Sequence, residues 1–312
     1  MVAFEGDQGR IFLVDETSAG QRLDVLLEQH AGLPRRATRR MAGEGRIRVD
    51  GRALRGGAPR LCPGSTVEVL RPGIRPEFLP ERIPLAILRE SDDLLLVDKP
   101  GGMAVYPGPG HPAGTLANAL RGLGRPLSAL EGPWRPGIVH RLDAGTSGVM
   151  VVAKTDTMHR QLRALFHGHA VIRRYLALVL GGPEWEERVI DGPLGRRRQG
   201  RRAFAVREDG RPARTRLRVV RRAEGFALVE ATPETGRTHQ IRVHLASLGH
   251  PICGDTLYGG GDRAAGKAAL LGLRRPALHA LSLSVPEVGH AATAALPPDL
   301  VRALTALGLG TG

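Results

Sequence analysis

The chain has 312 residues, with 45 Lys+Arg against 31 Asp+Glu and a formal charge of +14, so its expected partner is anionic. All of those cations except Lys99, Lys154 and Lys267 are arginines, whose planar fork pairs bidentately with phosphate. That points to RNA or DNA before a membrane surface, with the base composition of the coding genome as the other source of an arginine excess. A 42% hydrophobic content argues against wholesale disorder, and only 4% aromatic residues argue against binding by rows of stacked bases.

In chain order, the N-terminus has acids where a signal peptide needs bases, and it lacks an apolar run. Residues 21–31 place Leu23, Leu26, Leu27 and His30 at helical spacing. Pro34 then opens a second helix in which Arg35, Arg36, Arg39 and Arg40 share one side, until Gly43 and Gly45 stop it. Such a run is either a solvated helix face or a phosphate grip. The basic segment Arg46-Ile-Arg-Val-Asp-Gly-Arg-Ala53, read as a strand entering a tight Asp50-Gly51 turn, favours the grip. From Arg22-Leu-Asp-Val-Leu-Leu27 through this hairpin to Pro63-Gly-Ser-Thr-Val-Glu-Val69, the sequence resembles an S-four-type RNA-binding domain. The resemblance implies that Arg35, Arg36, Arg39 and Arg40 contact phosphates.

Four prolines fall in residues 71–84, and this composition reads as a linker. The expected organisation is an N-terminal segment and RNA-binding domain over 1–71, the linker over 72–83, a catalytic domain over 84–300 and a tail over 301–312. Past the linker, strand-like runs at 85–88, 94–97, 149–153, 175–180, 215–220 and 227–230 alternate with helical patterns at 116–123, 158–167 and 240–248. The longest apolar runs are strand-sized, far short of a membrane span. The mixture predicts a mixed α+β sheet domain rather than a strictly alternating one, with a small α/β domain before it. Neither Gly101-Gly102 nor the glycines at 259–261 fit a nucleotide fingerprint. Cys62 and Cys253 form no paired motif, which places the protein in the reducing cytoplasm.

Chemistry is densest in two segments. Gly137-Ile-Val-His-Arg-Leu-Asp-Ala-Gly-Thr-Ser-Gly148 sets Asp143 at a strand-to-turn corner, and Glu234-Thr-Gly-Arg-Thr-His-Gln-Ile-Arg-Val-His244 offers Arg237 and Arg242. An ionised Asp–Arg pair in a basic cleft is one use of these residues. A paired-carboxylate hydrolase needs a second acid, for which Asp98 and Asp156 have no distinguishing context. A metal site needs clustered ligands, and His239 and His244 stand five apart without one. A turn or cap acceptor remains the plain reading of an Asp before Gly-Thr-Ser.

His140-Arg-Leu-Asp143 with Thr146-Ser-Gly148 resembles the catalytic motif of RluA-type RNA pseudouridine synthases, and further blocks agree in order. These are Ile83-Pro-Leu through Asp98-Lys-Pro-Gly-Gly-Met103, Arg173-Arg-Tyr-Leu-Ala-Leu-Val179, Thr235 through His244, Pro251-Ile-Cys-Gly-Asp-Thr-Leu-Tyr-Gly259 and Leu278-His-Ala-Leu-Ser-Leu283. The resemblance implies the pseudouridine synthase fold, an α+β domain with a mixed, largely antiparallel sheet, and isomerisation of uridine in structured RNA, most readily large-subunit ribosomal RNA, with transfer RNA as the alternative. It implies Asp143 as catalytic carboxylate, Arg242 as its ion-pair partner and Tyr175 stacked on the uracil. Arg141 would fill the gap left by an extruded nucleotide, with His140, Arg237 and Lys99 also on the substrate; structural support is the alternative for two of them, Lys99 in a turn and Arg237 as a phosphate or backbone clamp. The reaction adds no atoms, so no cofactor or metal is expected, and the chain is expected to act as a monomer away from membranes. Three routes stay open for Asp143: attack on the sugar, attack on the base, or removal of a ribose proton to give a glycal. The rival from another class is an RNA-binding or ribosome-assembly factor without catalysis. Ala144-Gly145, Tyr106 and the 166–171 stretch depart from the family pattern, which leaves substrate identity open.

Overall fold

The computed structural model describes every residue except 1, 7–8, 45, 55–56, 71–79, 109–110, 112, 133–134, 198–202, 260–261 and 311–312; at 2–6, 9, 52–53 and 262–265 only the backbone is described. The chain divides into two compact units, Met1–Pro76 and Glu77–Gly312.

The first unit is a five-stranded antiparallel sheet with two helices. Its elements are β1 (Val2–Gly6), β2 (Gly9–Leu13), α1 (Leu23–Ala31), α2 (Arg35–Gly43), β3 (Ile47–Val49), β4 (Arg52–Ala53) and β5 (Thr66–Leu70), and the sheet order is β1-β2-β5-β3-β4. Leu23, Leu26 and Leu27 of α1 pack with Met41, Ile47, Val67 and Phe12, which is the apolar face read from the spacing. Asp50 and Gly51 both take positive φ, the twist a two-residue hairpin turn requires. The β1–β2 hairpin extends this sheet beyond what the sequence pattern anticipated.

The second unit is built on a nine-stranded sheet. Its strands are β6 (Ala86–Glu90), β7 (Leu94–Lys99), β8 (Ser147–Ala153), β9 (Ile172–Leu180), β10 (Glu187–Asp191), β13 (Arg214–Ala223), β14 (Phe226–Pro233), β15 (Leu278–Val285) and β16 (His290–Thr293). They run in the order β10-β13-β14-β9-β15-β8-β7-β6, with β16 beside β15. Among the described strands only β15 and β8 pair in parallel, so the expected mixed, largely antiparallel α+β fold is the one found. A separate ribbon pairs β11 (Leu194–Arg196) with β12 (Phe204–Val206). The helices are α3 (Leu116–Gly122), α4 (Asp156–His167), α5 (Gln240–Ser247), α6 (Asp262–Leu270) and α7 (Pro298–Ala306).

Strand β8 shows why the sheet forms here. All seven of its residues are buried: Met150 and Val152 face one core, and Val149, Val151 and Ala153 the other. A strand covered on both faces reads as a continuous apolar run. Two boundaries need correction. Residues 71–79 of the expected linker lie outside the described residues, while Glu81 is already docked on α3, donating from its N to Asn118 O at 3.1 Å and accepting at Oε1 from Gly114 N at 3.0 Å. The stretch from 301, expected as a tail, completes α7 and buries Ala303, Leu304 and Leu309 in the larger core. Its apolar residues at helical spacing outweigh its terminal position. No helix among the described residues is long and apolar enough to cross a membrane.

Candidate active site

Asp143 lies on the loop that runs into β8, and the two ends of that loop are pinned by glycines. Ile138 bridges Val152, and Ala153 N donates to Gly137 O at 2.8 Å. Gly137 has φ +64°, and a Cβ there would stand 2.1 Å from the Ala153 carbonyl oxygen. Gly148, at φ +114°, repeats the device against β15, where a Cβ would stand 2.2 Å from Ala280 O. Only glycine fits both the dihedral and the approach. Ala280 also pairs with Tyr175 on β9, so one residue of β15 registers the Asp143 loop and the tyrosine strand together.

The turn is closed by Thr146 N on Asp143 O at 3.0 Å and backed by Gly102 N on Ala144 O at 2.8 Å. Lys99 Nζ donates to Pro100 O (2.9 Å), Met103 O (2.8 Å) and Ala144 O (3.4 Å). Lys99 is 0% exposed, and burial, reinforced by the Arg275 charge, lowers its pKa to about 7 against the opposing pull of Asp143 and Asp98. It is therefore not at a substrate surface as the sequence pattern suggested. A fully enclosed ammonium must spend its hydrogens on protein acceptors, and here it braces the loop.

On the solvent side, Arg242 Nη1 donates to Asp143 Oδ2 at 2.9 Å. The same guanidinium grips Asp255 through Nε (2.7 Å) and Nη2 (2.8 Å) and lies over the Tyr258 ring, 5.0 Å from its centroid. The Arg242 side chain is 10% exposed and Asp143 18%. Burial works against the arginine's charge, but Asp255 and then Asp143 raise its pKa, so it stays a cation. His239 caps α5 in the left-handed region, φ +58°, conformational strain of the kind held at functional sites. Its Nε2 stands 3.8 Å from Asp143 Oδ2, its Nδ1 2.8 Å from the Tyr258 hydroxyl, and that hydroxyl accepts from Phe204 N at 3.0 Å. Burial lowers the His239 pKa against the charge of Asp143, favouring a neutral ring. Gln240 organises the approach to the helix: its Oε1 accepts from Thr235 Oγ1 (2.7 Å) and Arg237 N (3.0 Å).

Asp143, His239, Gln240 and Arg242 line a cleft of about 470 Å³ whose walls include Arg141, Arg173, Arg211 and Arg237, with Asp143 as the one carboxylate among its lining residues. Tyr175 lines it from β9, flanked by Ala231 and Ala280; burial raises its pKa, so the phenol is neutral, and its hydroxyl makes no hydrogen bond among the described residues. Arg141 is exposed and without an ion pair among them. Arg237 Nε is tied to Pro212 O at 2.9 Å. His140 stacks on Phe166 at 4.6 Å and accepts from Val151 N through Nε2 at 3.0 Å. Burial, then Arg173, pushes its pKa to about 3, so it is a neutral wall of the cleft. His244, weighed as a ligand beside His239, instead hydrogen-bonds Thr215 Oγ1 and Gly192 O, each at 2.9 Å. In the first unit, Arg35 pairs with Glu28 (3.0 Å), Arg39 approaches Asp24 (3.9 Å) and Arg40 approaches Glu44 (4.0 Å); Arg36 has no such partner among the described residues.

Sequence reasoning gave no role to Asp255, Tyr258, His239 or Arg275. Asp255 and Tyr258 lie within the Pro251–Gly259 block that carried part of the resemblance, and no spacing rule ties an Asp to an Arg thirteen residues earlier. Arg275 carried no local signal.

Residues 93–247 match the family described as RNA pseudouridylate synthase. An uncharacterized RNA pseudouridine synthase of Chloroflexus aurantiacus is 42% identical over 93% of this chain and 91% of its own length. The ribosomal large subunit pseudouridine synthase D of Xanthomonas campestris is 40% identical over 95% and 91%. Among solved structures, human RNA pseudouridylate synthase domain containing 4 aligns at TM-score 0.58 with 28% identity, covering 72% of this chain and 93% of that one. Fold and relatives thus define an RNA-modifying isomerase. The chain belongs to the RNA pseudouridylate synthase family, in its RluA-type branch.

Proposed function

We propose that the chain converts a uridine of large-subunit ribosomal RNA to pseudouridine, with Asp143 as the catalytic carboxylate acting on a nucleotide turned out of its helix. The observation that carries this reading is the Asp143–Arg242 contact at 2.9 Å in a cleft whose other charged walls are cationic. The anion is the reactive form on every route open to the carboxylate, and the fixed guanidinium holds the direction in which it points. The arginine walls suit the phosphates on either side of the target.

In the reaction the bond from uracil N1 to ribose C1′ breaks and one from C5 to C1′ forms; C5 loses a proton and N1 gains one. On the favoured glycal route Asp143 removes the C2′ proton and returns it. Tyr175 presents a flat face for the uracil and a hydroxyl that can relay the C5 proton, its oxygen taking that proton as it gives up its own to solvent. Arg141, exposed and without an ion pair among the described residues, can enter the space left by the flipped base, an extrusion that costs a few kcal/mol. The first unit, through Arg35, Arg36, Arg39 and Arg40, grips RNA backbone.

The ribosomal assignment draws support from the name of the Xanthomonas relative. It is tested by incubating the purified chain with unmodified large-subunit ribosomal RNA and with transfer RNA transcripts and mapping pseudouridine in each. Conversion of a ribosomal site is expected; conversion confined to transfer RNA overturns the choice of substrate.

A further inference from the structure

The cleft is served by a second arginine–aspartate fork built like the first. Arg275, just before β15, is held by Asp299 in the first turn of α7: Nε to Oδ2 at 2.7 Å and Nη2 to Oδ1 at 2.8 Å. Its remaining nitrogen, Nη1, donates to Gly145 O at 2.9 Å and to Pro276 O at 3.3 Å. Gly145 follows Asp143 by two residues. Where Arg242 uses its free nitrogen on the Asp143 side chain, Arg275 uses its own on the backbone of the turn that carries that side chain.

The surroundings leave the guanidinium little freedom. The Arg275 side chain is 14% exposed. A Cβ added at Gly101 would stand 2.5 Å from Arg275 Nε and 2.6 Å from Cζ, and one at Gly145 would stand 2.8 Å from Pro276 Cδ. Gly101, in the loop after β7, is thus a glycine because the arginine fills the space beside it. Asp299 also accepts from Leu300 N at 2.9 Å, and Leu300 is fully buried, so the aspartate is anchored by the helix it belongs to. With Thr146, Gly102, Lys99 and Arg275 together, the carbonyls of residues 143, 144 and 145 each have a donor.

We propose that Arg275, locked by Asp299, is a positioning residue for the isomerisation: it fixes the Asp143 turn, and thereby makes the C-terminal helix α7 part of the machinery that aims the carboxylate. This rests on Asp143 being the reacting group. Displacements of about 1 Å at a reacting group cost about a hundredfold in rate, while the RNA-contacting surface is untouched. A bidentate fork cannot be copied by lysine, so Arg275→Lys does not restore the two-point grip on Asp299 together with the bond to Gly145 O.

The test is single-turnover conversion of a substrate RNA by the full chain, with RNA affinity measured separately. Arg275→Met is expected to lower the rate constant about tenfold to a hundredfold, with the full product amplitude and an RNA Kd within about twofold of the original, and Arg275→Lys to fall between. A role confined to folding lowers the amplitude, the fraction of competent enzyme, and leaves the rate constant alone, which overturns the proposal. Gly101→Ala keeps the arginine and crowds its guanidinium from outside; it is expected to slow the same step, and carries the test should Arg275→Met fail to fold. A Gly101→Ala rate equal to the original also overturns it. Asp143→Asn, run alongside, separates the two claims: activity in that variant defeats the role of Asp143, whereas an inert Asp143→Asn with an unslowed Arg275→Met defeats only the positioning role.

Discussion

Arg242 meets Asp255 edge-on through Nε and Nη2, at 2.7 and 2.8 Å, and this two-point grip leaves Nη1 as the nitrogen directed at Asp143. The arginine's aim is therefore set by a residue that does not line the cleft. Removing Asp255 takes away two of its three charge-assisted bonds in a site where both partners are buried. Asp255→Ala is expected to cost about 3 kcal/mol of stability, read as a lowered urea midpoint, and to reduce turnover. An unchanged midpoint would show that the fork holds nothing in place. Arg242→Lys keeps a charge but loses the planar fork, and about a hundredfold slower conversion is expected from the poorer aim.

Tyr175 separates packing from chemistry. Its hydroxyl has no protein partner among the described residues, so Tyr175→Phe is expected to change stability by less than about 0.5 kcal/mol. It removes the oxygen assigned to the C5 proton, and turnover is expected to fall about a hundredfold or more, as when an acid–base group is removed. Tyr175→Ala also empties a buried ring site and is expected to cost about 3 to 5 kcal/mol. Full activity in the Phe variant would leave only the ring's face with a role.

The enclosed Lys99 gives a pH signature. Its folded-state pKa, about 7, lies below the ordinary 10.5, so between those values the unfolded chain binds more protons and stability rises with pH. Above 10.5 this contribution is complete; as pH falls towards 7 it is lost. Lys99→Met is expected to flatten that rise, seen by comparing urea midpoints of the two proteins from pH 7 to 10. Parallel curves would mean that the ammonium is not desolvated.

Burial lowers two histidine pKa values in the same way, His140 to about 3 and His279 to about 4, from 6.5. Their contribution to stability is present above pH 6.5 and is lost as the pH falls through that window. His279→Asn, which keeps a polar side chain beside Ser147 Oγ, now 2.9 Å from His279 Nδ1, should reduce the acid sensitivity of the urea midpoint between pH 6.5 and 4. Unchanged sensitivity would contradict the assignment.

Much of this architecture could be read from local pattern, and what could not depends on distant partners. The apolar runs at 94–97 and 149–153 became β7 and β8, and the leucine spacing at 23–27 became α1, because periodicity is a property of neighbouring residues. Strand β8 begins earlier, at Ser147, since that serine is paired with His279 from β15, 132 residues away. Asp143, Arg242 and Tyr175 were named from motifs, and the fold pairs Tyr175 and Gly148, which ends the Asp143 loop, with the same residue of β15. What held them was hidden: Asp255 behind Arg242, Asp299 behind Arg275, and the left-handed backbone of His239. The helix α7 looked like a tail because its terminal position carries no information about burial.

The arginine ridge of α2 gives a measurable salt effect. Three of its four arginines have acids within 4.0 Å, so among the described residues Arg36 is the one that meets RNA without first breaking an ion pair. Replacing all four with Ala is expected to weaken binding and flatten the salt dependence, by about 0.7 to 0.9 in log–log slope for each phosphate that is no longer neutralised; Arg36→Ala alone should account for the largest single share. An unchanged slope would remove RNA binding from this helix.

The central claim is that the Asp143 carboxylate performs the isomerisation. Release of tritium from RNA labelled at uracil C5 measures it directly, because that proton leaves only when the new carbon–carbon bond is made. The original chain is expected to release tritium, and Asp143→Asn, which matches it in shape and should bind the same RNA, to release none above background. Release by Asp143→Asn at a comparable rate would contradict the account.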